Sequence, residues 1–288
     1  LSIKLIICPL PRMNSIGKIV LTFSGDGNTL VTTSSKGIQL IDMRTFKVVS
    51  EFSNNVLFPT IKFFNTDKEY SFVDSISVNF DGTLLAYLGA GTLSSLDVTK
   101  KLVTKPKGHG KRKVSNAVFS IDSQNIIFSE GSQLFTWNLP SDSFRYSEGK
   151  NSIITEVISH PDGRTIITLD KKGDIHNWSL YGGSPKVFAN IKSNSGIEIN
   201  DDGSTLFSIS RRGSIEGINY STGKLINDPM SEPFNVNVLK LSPNNRQLAV
   251  GMFSGTINYI DLLTGNLMVL KNDVGTIKNL AFINKGRQ

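Results

Sequence analysis

The segment TKPKGHGKRKV, residues 104–114, holds a cluster of cations and is the first place to look for chemistry in this chain. Side chains of this type neutralise phosphates or acidic protein surfaces. A basic run is typical of a nuclear localisation signal, of a nucleic-acid-binding tail, or of a basic loop within a folded domain. The surrounding elements must decide between these three interpretations.

Catalytic and metal-binding patterns are nearly missing from the sequence. The three histidines, at positions 109, 160 and 176, have no ligand spacing between them. Cys8 stands in an apolar stretch without a basic neighbour, which favours an inert thiol. No glycine-rich phosphate loop follows a strand and opens a helix. We therefore predict that the protein is not an enzyme and has no metal, no cofactor and no small-molecule substrate.

Composition narrows the class of protein further. The chain has 288 residues, of which 39% are hydrophobic and 19% charged, which is enough for a large core. No apolar run reaches the roughly 18–20 residues that span a bilayer, so we expect no membrane insertion. A lone Cys8 excludes an internal disulfide framework and fits a reducing intracellular compartment, cytoplasmic or nuclear. The formal net charge of +7 favours acidic partners.

A repeat organises the whole chain. Six stretches, such as LTFSGDGNTLV and VISHPDGRTII, each join two apolar strands through a polar turn, and a seventh begins at LAFINKGRQ. The second residue of the turn falls at 27, 82, 123, 163, 203, 245 and about 286, so the steps are 55, 41, 40, 40, 42 and 41. A third and a fourth alternating strand follow in each unit. A regular repeat of this length indicates stacked units of one architecture.

Four short strands in about 41 residues are typical of a propeller blade, since a single blade cannot bury both of its apolar faces alone. We therefore predict an all-β fold, a single β-propeller domain over residues 1–288, built of four-stranded antiparallel blades. A β-sandwich is the alternative, but the regular period argues against it. Seven turns predict seven blades, the last closed by residues 1–9 pairing with residues 276–283. The alternative is a six-bladed propeller that a partner completes.

The repeats resemble those of the WD-repeat propeller family over essentially the whole chain. The family's Gly-His pair matches Gly108-His109, and its Phe-Ser-Pro-Asp-Gly turn is echoed at residues 23–27. Its terminal Trp-Asp dipeptide corresponds to Trp137-Asn138 and Trp178-Ser179. No unit joins the Gly-His pair to both the Trp and the Asp of the family motif. The family's His–Ser–Asp–Trp hydrogen-bond network is therefore expected to be absent. The resemblance makes residues 104–114 an interblade loop, within which a localisation signal remains an open alternative.

Charge sorts by turn in the predicted propeller. We call the turns between successive strands of a blade its first, second and third turns; first turns emerge on one face, and second turns and interblade loops on the other. The first turns carry Asp26, Asp81, Asp122, Asp162, Asp201 and Asp202. The opposite face, named here the basic face, carries the predicted partner-binding residues Lys36, Lys105, Lys107, Lys111, Arg112, Lys113, Lys171, Lys172, Arg211 and Arg212. Ordinary solvated turn residues are the alternative interpretation, and the acidic loop NDPMSEP opposes the pattern.

The first step of the repeat is 14 residues longer than the next, since 55 exceeds 41 by that number, which predicts an insertion at about residues 53–70. Its aromatic residues Phe58, Phe63 and Phe64 are weaker candidates for partner binding. The alternative is an extra strand or lid packed on the propeller itself.

These observations predict a non-catalytic scaffold for protein–protein interaction, a WD-repeat subunit of a larger intracellular assembly. Its partners would be proteins with acidic or phosphorylated surfaces, docked on the basic face. The alternative is a propeller subunit that binds RNA or ribonucleoprotein, although the basic turns lack the interleaved aromatics on which bases stack. An enzyme of the quinone- or haem-dependent propeller type would need cofactor ligands that the sequence does not offer.

Overall fold

The structure is a computed structural model that describes residues 20–34, 37–57, 73, 75–89, 92–107, 114–147, 149, 152–191, 196–210, 215–226, 236–242, 245–271, 275–277, 280 and 282. Strands dominate it, and the helix α1 (Asn54–Leu57) is a single turn. Among the described residues, no helix has the length and apolar character that crossing a membrane requires.

Three four-stranded antiparallel sheets occupy the first half of the described chain. The first sheet contains β1 (Leu21–Phe23), β2 (Thr29–Ser34), β3 (Gly37–Asp42) and β4 (Lys47–Ser53). The second contains β5 (Ser75–Val78), β6 (Leu84–Gly89), β7 (Thr92–Asp97) and β8 (Leu102–Thr104). The third contains β9 (Ala117–Phe119), β10 (Asn125–Glu130), β11 (Gln133–Asn138) and β12 (Ser143–Ser147). In each of them the strands lie side by side in chain order.

Three further sheets repeat this order. The fourth sheet contains β13 (Ile154–Ser159), β14 (Thr165–Asp170), β15 (Asp174–Ser179) and β16 (Lys186–Asn190). The fifth contains β17 (Ile197–Ile199), β18 (Thr205–Ile209), β19 (Ile215–Asn219) and β20 (Leu225–Ile226). The sixth contains β21 (Val236–Leu241), β22 (Gln247–Met252), β23 (Thr256–Asp261) and β24 (Leu267–Lys271). The prediction of an all-β fold built from four-stranded antiparallel propeller blades is confirmed.

Burial follows the position of a strand within its sheet. The second strands are buried almost throughout, as in β6, where Leu85 and Tyr87 are fully enclosed. The fourth strands are largely exposed, as in β4 and β16. Both faces of a second strand are covered, because its apolar residues pack against the neighbouring sheets as well as within their own. The repeat thus places its core along the second and third strands.

The described contacts divide the chain into two compact units. One unit comprises Leu1–Glu130, Thr136–Phe144 and Ile283–Gln288, and the other comprises Gly131–Phe135 and Arg145–Phe282. Within the first unit, β5 contacts both β1 and β9; within the second, β17 contacts both β13 and β21. Sheets that follow one another in the chain therefore stack through their first strands inside each unit. The single domain over residues 1–288 stays a prediction.

The described residues form six blades, so the prediction of seven blades is not confirmed. Residues 275–277 nevertheless follow the sixth sheet as expected for the repeat. The Ile277 N–H donates to Met252 O (3.1 Å), much as the Ile154 N–H at the start of β13 donates to Gly131 O (2.8 Å). Residues 1–9, which were predicted to pair here, lie outside the described residues, so this pairing stays a prediction. Six is the number of blades in the alternative interpretation given above, and completion of the propeller by a partner stays a prediction.

Candidate docking surface

The first turns are closed by their own aspartates. In the fourth sheet, Asp162 Oδ1 accepts the N–H groups of Arg164 and Thr165, both at 2.8 Å. In the second sheet, Asp81 Oδ1 accepts the Thr83 N–H at 3.0 Å. Corresponding bonds to a backbone N–H two residues further on are made by Asp26, Asp122 and Asp202. The interpretation of these aspartates as turn residues that bond the local backbone is confirmed.

These bonds favour the charged carboxylates. The hydrogen bond from the Thr83 hydroxyl is the main cause that lowers the pKa of Asp81. Burial alone would raise the pKa of Asp162, but bonds from the Arg164 and Thr165 N–H groups and the Thr165 hydroxyl outweigh it and lower that pKa. The carboxylates of Asp81 and Asp162 are thus bonded within their own turns.

First turns of neighbouring sheets are also bonded to one another. In one unit, the Asp26 N–H donates to Phe80 O (2.9 Å). In the other, the Asp201 N–H donates to Asn245 Oδ1 (3.0 Å). Because Nδ1 of His160 accepts the Asp162 N–H (3.1 Å), we assign the ring proton to Nε2, which donates to Gly203 O at 3.3 Å.

His160 therefore has the structural role that its turn position predicts. Its ring is buried and stacks on Tyr220 of the fifth sheet, with 4.6 Å between ring centroids. His109 lies outside the described residues.

The fourth sheet contains a hydrogen-bond network that sequence reasoning missed. Trp178 Nε1 donates to Thr168 Oγ1 (2.8 Å), and His176 Nε2 lies 3.2 Å from Asp170 Oδ2. These are two separate links, since no hydrogen bond joins Thr168 to His176 among the described residues, so the expectation that the family's continuous network is absent stays a prediction. The family motif places the His in the interblade loop, whereas here it comes from the third strand of the sheet itself, where the antiparallel register sets His176 opposite Thr168.

One group of described residues has the spacing that could hold a metal ion: Asp170, Asp174 and His176. Their ligand atoms lie within 4.8 Å of one another. Asp170 Oδ1, however, already accepts the N–H groups of Lys172 (2.8 Å) and Asp174 (3.0 Å). Burial alone would raise the pKa of Asp170, but these bonds and the one from His176 lower it. A metal-ligating histidine normally donates its second ring nitrogen to a partner. His176 Nδ1 has no such partner among the described residues. We therefore interpret the cluster as a set of hydrogen bonds that fixes the second turn.

Only part of the predicted basic face can be located. Lys171 and Lys172 lie exposed in the second turn of the fourth sheet, and Lys105 is half-buried after β8. The remaining members except Lys107 lie outside the described residues: Lys36, Lys111, Arg112, Lys113, Arg211 and Arg212.

Lys107 differs from the other predicted cations in its surroundings. Its ammonium lies 3.5 Å from Asp142 Oδ2, in the third turn of the third sheet. In a four-stranded meander the first and third turns share one end of the sheet, and the second turn lies at the other. The Lys107 ammonium is thus paired with Asp142 at the end of the third sheet that carries its first and third turns, not at the end that carries its second turn. Its part in partner binding stays a prediction.

The insertion begins as core rather than as surface. Leu57, at the end of α1, is fully buried, and its carbonyl accepts the Tyr87 hydroxyl at 2.7 Å. Burial raises the pKa of Tyr87 to about 12, so this hydroxyl stays protonated. These contacts favour packing on the protein itself for the start of the insertion. Phe58, Phe63 and Phe64 lie outside the described residues.

The first strands of the second unit carry charges that the sequence did not single out. The Glu156 carboxylate accepts the N–H groups of Gly196 (2.5 Å) and Ile197 (2.9 Å), at the start of β17. Glu198 forms an ion pair with Lys240 of β21. Burial raises the pKa of Glu156 in spite of these two N–H bonds. Each of these side chains reaches from one sheet to the next, so the charges tie first strand to first strand.

Comparison with models of known protein families finds no match, and comparison with curated proteins finds no significant relative.

Proposed function

We propose that the protein is a degenerate WD-repeat propeller that acts as a non-catalytic scaffold in a larger intracellular assembly. In this proposal it docks proteins with acidic or phosphorylated surfaces on its basic face. The Trp178–Thr168 and His176–Asp170 bonds support the family assignment, because the family's network joins the same residue types.

The preorganised turn at Lys171 and Lys172 is the observation that carries the docking proposal. The Lys171 N–H donates to Ile153 O (2.9 Å), and the Lys172 N–H donates to the buried Asp170 carboxylate. The backbone is thereby fixed while both ammonium groups remain exposed. A fixed pair of like charges can steer an acidic partner without a further loss of backbone entropy on binding.

The experiment starts from affinity capture of partners with mass spectrometry, with and without nuclease. The association of the captured partner is then titrated with salt for the Lys171→Glu/Lys172→Glu protein. We expect affinity to fall about tenfold and to become less salt-dependent, since reversed charges no longer steer the partner. The matched control is Lys100→Glu/Lys101→Glu, which makes the same charge change in the third turn of the second sheet. Equal losses in both proteins contradict the proposal, and release of all partners by nuclease favours RNA instead.

A further inference from the structure

A second surface lies at the other end of the fourth sheet, away from Lys171 and Lys172. A cavity of about 580 Å³ opens there between the first and third turns of the fourth sheet and Tyr220 of the fifth. Arg164, Asn177, Tyr181 and Lys186 are among the residues that line it. A volume of this size accommodates a small ligand or one large side chain with its neighbours.

The cavity carries a net positive charge. Arg164 and Lys186 are both exposed, and neither forms an ion pair with a carboxylate of the described chain. Asp162 is the carboxylate that faces Tyr220, but its oxygens accept bonds from the Arg164 and Thr165 N–H groups and the Thr165 hydroxyl. Two cations therefore outnumber this one carboxylate, which keeps its charge, so the net charge here is positive.

Two polar atoms at the cavity are buried and lack a hydrogen-bond partner of good geometry among the described residues: Tyr220 Oη and Asn177 Oδ1. The Asn177 amide is still near enough to influence the Tyr220 hydroxyl. Burial, together with the charge of Asp162, raises the pKa of Tyr220 to about 12, so the hydroxyl keeps its proton and can donate. Buried polar atoms in native proteins are nearly always paired, and the Asn177 side chain alone does not give this hydroxyl a hydrogen bond of good geometry, so it can serve a further acceptor.

The walls of the cavity are rigid on one side and open on the other. The Tyr220 ring packs against His160 and Phe188, at centroid distances of 4.6 and 4.7 Å. Tyr181 forms the outer rim with 65% of its surface exposed, and its carbonyl accepts Arg145 Nη1 at 3.3 Å. A third cation, the Arg145 guanidinium, thus lies near the entrance.

We propose that this cavity binds an oxyanion, phosphate or carboxylate, carried by a side chain of a partner peptide. Arg164 and Lys186 pair with the oxyanion. The Tyr220 hydroxyl donates to it once the peptide side chain has entered the cavity. The guanidinium fork of Arg164 suits two oxygens of one such group. Tyr181 covers the apolar atoms of the peptide at the rim. This site is distinct from the basic face and does not depend on it.

A peptide fits better than a single-stranded nucleic acid. Base recognition needs free aromatic faces. The Tyr220 ring already packs against His160 and Phe188, and Trp178 is only 2% exposed. Tyr181 alone remains for stacking among the aromatic residues that line this cavity.

The test uses three immobilised degenerate peptide pools with a central phosphoserine, glutamate or serine, and a labelled poly(U) of the same length. We expect the purified protein to be retained by the phosphoserine pool, the glutamate pool or both, at least about fivefold above the serine pool. The two charged pools distinguish a phosphate ligand from a carboxylate ligand. Arg164→Met/Lys186→Met should lower this retention about tenfold, as the loss of two charge pairs implies. Tyr220→Phe, which removes only the hydroxyl, should lower it by a smaller factor.

The matched control is Lys224→Met, which removes an exposed cation from the third turn of the fifth sheet, outside the cavity. It should retain the peptides as the unaltered protein does. Equal retention by all three pools overturns the proposal, as does unchanged retention by the Arg164→Met/Lys186→Met protein. Stronger binding of poly(U) than of any peptide pool also overturns it in favour of nucleic acid. Thermal unfolding of each variant verifies folding, and if the double variant is unfolded the Tyr220→Phe result decides.

Discussion

Asp170 is the residue at which the hydrogen bonds of the fourth sheet converge. Its side chain is 2% exposed, and it accepts bonds from two backbone N–H groups and from His176. Trp178, on the same strand as His176, is tied to Thr168. Two polar links thus fasten the third strand to the second, one at Thr168 and one at Asp170, where the second strand ends. In a blade whose core is otherwise aliphatic, these links fix strand register as well as stability.

Replacing Asp170 by Ala should therefore be costly. The substitution leaves two backbone donors and the His176 ring without their acceptor, and we expect the free energy of unfolding to fall by about 3 kcal/mol. Urea unfolding at pH 7 measures the change. Asp170→Asn keeps one acceptor oxygen and should lose less. The exposed turn residue Asp202, changed to Ala, is the matched control. A loss no greater than that of the control would contradict a converging role for Asp170.

At the scale of elements, the first turns make the sheets interdependent. His160 of the fourth sheet donates to the Gly203 carbonyl of the fifth, and Asp201 of the fifth donates its N–H to Asn245 of the sixth. Glu156 adds a second link at the first strands. The fourth sheet is thus bonded to the fifth, and the fifth to the sixth, both at a first turn and along the first strand. Stability in such an array comes largely from contacts between nearest neighbours.

Gly203 tests the turn-to-turn contact directly. Its φ is +73°, and a Cβ there would lie 2.6 Å from two atoms of the His160 ring. Gly265 has a nearly equal φ of +69° but open space around it. Gly265→Ala should cost about 1–2 kcal/mol for the left-handed backbone alone. Gly203→Ala should cost about 1–3 kcal/mol more, because the ring must move.

Urea unfolding of both proteins checks this prediction, and adding His160→Ala to Gly203→Ala should recover part of the excess. Equal losses at the two glycines would show that the His160 contact contributes nothing.

At the scale of the whole molecule, the turn carboxylates predict how stability depends on pH. The pKa is lowered for eight aspartates: Asp26, Asp42, Asp81, Asp97, Asp162, Asp170, Asp202 and Asp261. It is raised for Glu156 and Asp201, in both cases mainly by burial. A carboxyl whose pKa is lower in the folded state stabilises the fold above its unfolded pKa, and this contribution disappears as the pH falls through the folded value.

The carboxyls with a lowered pKa outnumber those with a raised pKa. We therefore expect the thermal midpoint to be nearly constant near neutral pH and to decrease when the pH drops below about 4, close to the ordinary aspartate pKa of 3.8. Glu156 and Asp201 act in the opposite sense and soften the fall. A series of thermal scans from pH 7 to pH 2.5 measures it. Asp81→Asn should make the acid fall shallower, whereas Asp201→Asn should not. A midpoint that rises on acidification would show that the raised groups dominate.

The repeat allowed the blades to be predicted, because a polar turn between two apolar strands is a local signal. The turns at Asp81 and Asp162 lie where the spacing places them, and each aspartate bonds backbone only two residues away. The contacts between sheets were not predictable in this way. Glu156 reaches Gly196 across 40 positions, and nothing in either segment marks the other. The seventh blade, predicted from the turn near residue 286, is not found among the described residues, which form six.

The candidate site shows the same division. Lys171 and Lys172 were predicted from turn position alone and lie exposed where expected. The cavity at Tyr220 was not found, because its lining comes from two sheets and its cations stand on the face that the turn sequences mark as acidic. Asp162 is such a marker, and its oxygens accept the N–H groups of its own turn, so the turn sequence alone did not reveal the cations beside it.

The two tryptophans of the chain provide a built-in optical report on the two units. Trp137 belongs to one unit and Trp178 to the other, and both indoles are buried with their N–H groups hydrogen-bonded, to Asp142 and Thr168 respectively. Indole emission moves to longer wavelength when water reaches the ring. In a variant that keeps only Trp178, tryptophan fluorescence therefore reports on the unfolding of the second unit alone. A variant that keeps only Trp137 reports on the first unit. Two emission curves that coincide during unfolding signify one cooperative body, and two that separate signify halves that melt in turn.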